Sequence, residues 1–140
     1  MKKLLVIAFV MFSFVTVSSA KNSSITAEQR AKNLSDQMIR ELRLNNFQAN
    51  KVREINLEVA DQMLEIEEQY AGDQNKIDEL CKNVCSKRDV ALEKVLSTVQ
   101  YNNYFGNRKA FNSFDREFVA KASIPTNNVV AGNEASASIR

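Results

Sequence analysis

Histidine and tryptophan are absent from this 140-residue chain, and proline (one), cysteine (two) and glycine (three) are scarce. Without histidine the commonest general base near neutral pH is missing, and so is the imidazole on which zinc sites draw heavily. No glycine-rich phosphate loop and no Gly-x-Ser-x-Gly nucleophile turn is present. The acidic cluster Glu65, Glu67 and Glu68 reads as a solvated helix face. The chain is therefore expected not to be an enzyme and to use no cofactor. Few breakers, no strand-type alternation and abundant Glu, Lys, Leu, Ala, Gln and Asn predict an all-α protein.

Long hydrophobic runs are also lacking, with one exception at the start. Lys2-Lys3 precede an apolar run from Leu4 to about Val17, and Ser18-Ser19-Ala20 follow with the small residues a signal peptidase reads. The run is shorter than the ~20 residues that span a bilayer as a helix. Met1–Ala20 is thus expected to be a cleavable signal peptide, leaving no transmembrane segment in the mature chain. Charge of one sign is not in excess. The whole chain has 19 basic and 17 acidic residues, and Lys2 and Lys3 leave with the leader, so 17 of each remain. A neutral, exported chain argues against nucleic acid as a partner.

Four segments carry helical periodicity. Ala27, Ala31, Leu34, Met38 and Leu42 share one face of the first, and Val52, Ile55, Val59, Met63, Ile66 and Tyr70 one face of the second. Ile77, Leu80, Cys81, Val84, Leu92 and Val95 line the third, where polar Arg88 interrupts an inward-looking position. Tyr101, Tyr104, Phe111, Phe114 and Phe118 mark the fourth, which Gly106-Asn107 is expected to weaken or kink. Gly72 suits the residue after a helix and Asp73 the next N-cap, so the middle segments should run antiparallel. Pro125 should stop the last helix, and residues 123–140 are expected to form a disordered tail after a single domain over 21–122.

One pattern occurs three times: an apolar residue, a capping residue, two variable positions and Gln. It reads Ile25-Thr26-Ala27-Glu28-Gln29, Leu44-Asn45-Asn46-Phe47-Gln48 and Leu96-Ser97-Thr98-Val99-Gln100. Each is a capping box. Thr26, Asn45 or Ser97 accepts from an orphan N–H of the first turn, and Gln29, Gln48 or Gln100 reaches back to the N–H of the cap. Ile25, Leu44 and Leu96 occupy the staple position.

An exported, small, all-helical chain with these boxes resembles the Spy/CpxP, or LTXXQ-motif, family of bacterial periplasmic proteins. The resemblance runs from about Ile25 to Ala122, with Asn45 and Ser97 in place of the family's usual Thr. It implies a long antiparallel helical hairpin with flanking N- and C-terminal helices, often a cradle-shaped homodimer. It further implies ATP-independent chaperoning of unfolded envelope proteins under stress, or regulation of an envelope-stress sensor kinase. Some relatives bind metal ions. A structural helical protein without clients is the third reading.

Cys81 and Cys85 stand at i and i+4. They supply two thiolates where a tetrahedral site needs four ligands, so no metal is expected. Their Cβ atoms should lie ~5–6 Å apart, too far for the ~3.5–4.5 Å of an unstrained bridge. An intermolecular disulfide across a dimer, or two half-buried free thiols, are the alternatives. Six of the eight aromatic residues after the leader fall between Tyr101 and Phe118. Core packing explains most of a helical stripe. Phe105 lies off it, and Tyr104, Phe105, Phe111, Phe114 and Phe118, edged by Arg108, Lys109, Arg116 and Lys121, are the candidate protein-binding surface.

Overall fold

The computed structural model describes residues 25–124. The expected signal peptide and the segment from Pro125 onward lie outside the described residues. Five helices follow in order: α1 (Ala27–Leu42), α2 (Asn46–Gln69), α3 (Gln74–Glu93), α4 (Thr98–Gly106) and α5 (Arg108–Ala122). There is no strand among the described residues, and the fold is all-α. No helix among them is long and apolar enough to cross a membrane.

Each boundary has a local cause. Thr26, Asn45 and Ser97 take extended backbone angles and open α1, α2 and α4 with reciprocal capping boxes. Asp73 caps α3, its carboxylate accepting from the Lys76 N–H at 3.1 Å. Gly72 precedes it at φ +92°, a conformation that a Cβ would strain. Arg43 ends α1 in the left-handed region and donates its N–H to the Ile39 carbonyl. The fourth periodic segment is two helices rather than one kinked one. Asn107 leaves helical geometry at φ −102°, ψ 9°, and α5 restarts from it with no side-chain cap.

α1 and α2 pack against each other, α2 folds back on α3 through the turn at Tyr70–Asp73, and α5 returns to lie on α1. Near that turn Met63 of α2 meets Val84 of α3. Far from it Val52 and Leu92 share a second cluster, so the two helices run antiparallel. All five helices feed that larger cluster, which comprises Leu34, Met38, Leu42, Val52, Leu92, Leu96, Tyr104 and Phe111. Fully enclosing a side chain such as Leu92 or Met38 stabilises the fold by roughly 1.5–3 kcal/mol. Ala27, Ala31 and Ala60 form a separate seam in which small side chains let α1 approach α2 closely.

Candidate functional site: a paired capping junction and a thiol-lined groove

The second and third capping boxes meet. Gln48 Nε2 donates to Gln100 Oε1 at 2.7 Å, and Gln100 Nε2 donates to Gln48 Oε1 at 3.2 Å. Each carboxamide oxygen also accepts the N–H of its own cap, from Asn45 at 3.2 Å and Ser97 at 2.9 Å. Each nitrogen's second hydrogen reaches a backbone carbonyl of the other motif's flank: Val95 for Gln48 (3.3 Å) and Leu42 for Gln100 (3.4 Å). Both side chains therefore use donors and acceptor fully, which a half-buried amide needs. The box at Thr26 and Gln29 closes only on itself, on the surface.

This pairing brings two apolar side chains to one end of the molecule. Phe47 and Val99 hold the same position in their motifs, one residue before the joined glutamines. They are 68% and 70% exposed.

The aromatic candidates divide. Tyr104 is completely enclosed and Phe111 nearly so, their rings stacked with centroids 5.8 Å apart. As residues of the binding surface these two are corrected: a seven-residue spacing puts both on the inward face, and they sit in the main core. Phe114 and Phe118 are half-buried. Phe105 is 49% exposed, with the Arg108 guanidinium 4.4 Å over its ring, a cation–π arrangement.

A second polar assembly was only hinted at by the sequence. Arg30 of α1 is buried, yet it donates from Nε and Nη2 to the Asp115 carboxylate of α5 at 2.7–3.1 Å. Its Nη1 reaches both Glu67 oxygens of α2 at 3.1 Å. Burial opposes the Arg30 charge, but Asp115 and Glu67 outweigh it and raise its pKa. On α3, Arg88 donates to Tyr104 Oη (3.2 Å) and Asn112 Oδ1 (2.5 Å). The Tyr104 hydroxyl donates to Asp89 (2.6 Å), which also accepts from Arg108 (2.7 Å). Burial first, then the bond to Asp89, push the Tyr104 phenol well up. Arg88, which interrupts its apolar stripe, is thus buried with Nε and Nη2 both hydrogen-bonded. Arg30 and Asp115 also stand on apolar faces, beside Ala31 and four residues after Phe111, and such inward charges were the available signal.

α3 and α5 do not approach each other closely. Between them runs a groove of about 580 Å³, with Asp89 opposite Arg108 and Cys85 opposite Asn112, so the helices run in opposite directions along it. Cys81 and Cys85 are free thiols, half-buried, and both open onto this groove with Met63. No internal bridge joins them. Burial pushes both thiols up, Cys81 to about 11, with Glu67 adding to the effect on Cys81.

Among the described residues this defines an all-α protein of five helices, two of whose starts, those of α2 and α4, are joined through paired capping boxes. The profile of the family described as Domain of unknown function (DUF4890) matches residues 17–104, more than half of the chain, and the chain belongs to that family. No curated protein and no solved structure matches it.

Proposed function

We propose that the chain is an exported helical protein-binding module of the Spy/CpxP-like kind, a periplasmic, ATP-independent chaperone that holds unfolded envelope proteins. The observation that carries this reading is the pair Phe47 and Val99, both large, apolar and more than two-thirds exposed at the end where the boxes join. Exposed Arg43 stands near the start of α2, and exposed Phe105 adds a third apolar side chain with Arg108 over it. Apolar side chains edged with charge suit unfolded segments, whose own apolar residues gain burial without a fixed shape to match. A second copy of the chain placed to form a cradle would enlarge this surface. The repeated boxes support the resemblance: they are the motif on which it rests, and two of them do structural work together.

The test is suppression of aggregation of a denatured model client at equimolar ratio. The wild-type chain should suppress it. A Phe47→Asp/Val99→Asp variant should lose most of the effect while keeping its fold, since both sites are exposed. Equal suppression by the variant, or none by the wild type, overturns the proposal. Selective capture of one membrane sensor domain, with indifference to unfolded clients, would favour the regulator instead.

A further inference from the structure

Cys81 and Cys85 pose a geometric question that the chaperone reading leaves open. One turn apart on α3, both thiols are free, half-buried and turned into the same groove. Side chains at i and i+4 start from Cβ atoms ~5–6 Å apart. That is too wide for a disulfide, which needs Cβ atoms ~3.5–4.5 Å apart. It suits two sulfurs on either side of one ion. With thiolate bonds to a d10 ion near ~2.3 Å, a linear S–metal–S unit spans about 4.6 Å.

We propose that Cys81 and Cys85 bind one soft, thiophilic d10 cation of low coordination number, copper(I) being the type, with Met63 as a third sulfur ligand. Met63 lines the groove and packs in the cluster that holds both cysteines. Its Sδ accepts a hydrogen bond from Arg30 Nη2 at 3.4 Å, which leaves the thioether's second lone pair for an ion, and Arg30 is near enough to Cys81 to act on its thiol. Thiolate and thioether are the donors that select copper(I). Among the described residues no group of three or more Cys, Asp and Glu side chains is placed to hold a metal, so a tetrahedral zinc site lacks its ligands. On binding, two S–H bonds give up protons to solvent and two copper–sulfur bonds form. Copper stays monovalent and the bis-thiolate carries one negative charge. Arg30 beside Cys81, and Arg88 and Arg116 beside Cys85, favour that charge, while Glu67 and Asp78 near Cys81 and Asp89 and Asp115 near Cys85 oppose it. Burial keeps the empty thiols protonated, so the ion itself must supply the drive to deprotonate them.

The experiment titrates the reduced chain against copper(I) held by the chromogenic chelator bicinchoninate, under argon. The chain should withdraw one copper(I) per monomer without changing its oligomeric state. Bound copper should protect both thiols from alkylation, read by mass. Cys81→Ser and Cys85→Ser should each weaken binding by more than about 100-fold, beyond the usual cost of losing an outer-shell partner. Met63→Leu should weaken it by about tenfold, and zinc(II) should not compete. Circular dichroism of each variant separates a lost ligand from a lost fold, and alkylation protection in the wild type needs no variant at all. No withdrawal of copper, undiminished binding in either serine variant, one copper shared by two chains, or competition by zinc each overturns the site. Unchanged binding in Met63→Leu overturns the third ligand.

Discussion

The end of the bundle where α2 and α4 begin and the face where α5 closes are held by opposite kinds of polar contact. At the first, two neutral glutamines exchange hydrogen bonds and leave no donor or acceptor over. At the second, α5 contributes only two buried residues, Phe111 and Asp115, and Asp115 is an ion paired with buried Arg30. A half-buried neutral pair loses little more than its bonds when one member goes, because water can reach the survivor. An ion pair taken from water loses far more, because the survivor stays buried and charged. Asp115→Ala should therefore be the most damaging single change, costing about 3 kcal/mol, with Glu67 left as the only carboxylate on Arg30. Replacing both ions, as Arg30→Met/Asp115→Leu, should restore stability to within about 1 kcal/mol of wild type. Urea unfolding of the single and double variants measures both. A double variant as unstable as Asp115→Ala would mean that α5 is held by something else.

Tyr104 sharpens the same contrast, being a neutral group inside the ionic assembly. Its hydroxyl is shared between Arg88 and Asp89. Tyr104→Phe keeps the ring and its stack on Phe111 but leaves a buried donor and a buried acceptor short of a partner, which should cost about 1–3 kcal/mol. The pH response has a definite sign. Burial first, and Asp89 next, raise the phenol above its ordinary range, so the folded state holds a proton that the unfolded chain gives up in alkali. That contribution is complete below the ordinary tyrosine pKa and is lost as pH rises above it. Cys81, raised to about 11 chiefly by burial, adds a loss of the same sign that begins above its ordinary value of 9.0. Stability should thus decline from about pH 9 upward. Cys85, raised by burial from the same ordinary value, acts in the same range, so Cys81→Ser/Cys85→Ser should remove the earlier part of the decline and Tyr104→Phe much of the later.

The two regions were not equally legible in the sequence. A capping box is local, with all its partners within three residues, so Thr26, Asn45 and Ser97 and their glutamines were readable directly. Apolar periodicity likewise marked Leu34, Met38, Val52 and Leu92, because a 3.6-residue repeat reports a face and not a partner. What periodicity cannot supply is which charge meets which. Arg30 and Asp115 are 85 residues apart, and the pairing of Gln48 with Gln100 joins motifs 52 apart. A stripe of aromatics does not say which of its members the core takes: Tyr104 and Phe111, candidates for the binding surface, are enclosed because α4 and α5 both turn these residues into the main cluster. Gly106-Asn107 predicts a weakening or kink of one helix but not the full break at Asn107, because a glycine lowers helix stability without saying where the chain turns.

The three boxes offer their own comparison at lower energy. Gln48→Ala and Gln100→Ala each remove a cap bond and the exchange between helices, and each should cost about 1–2 kcal/mol. Gln29→Ala removes only an exposed local bond and should cost about 0.5 kcal/mol. A double-mutant cycle on Gln48 and Gln100 should return a coupling of about 1 kcal/mol, and the same cycle on Gln29 and Gln100 none. Equal costs at all three glutamines would show that the pairing adds nothing to the caps.

An effect of similarly small size concerns the point between the two regions. Gly106 closes α4 just before the turn that redirects the chain from the glutamine junction to the ionic latch. A Cβ at Gly106 would meet nothing within 4 Å, and its φ is not positive, so the turn does not require glycine there. Gly106→Ala should stabilise the protein by about 0.5–1 kcal/mol, by reducing the freedom of the unfolded chain. Gly72, which also has open space but sits at φ +92°, should respond with the opposite sign. Thermal melting of the two variants decides it. A loss of stability in Gly106→Ala would mean that the α4–α5 break depends on glycine at that position, and that the direction of α5, and with it the Arg30–Asp115 pair, is set by backbone freedom rather than by the ions.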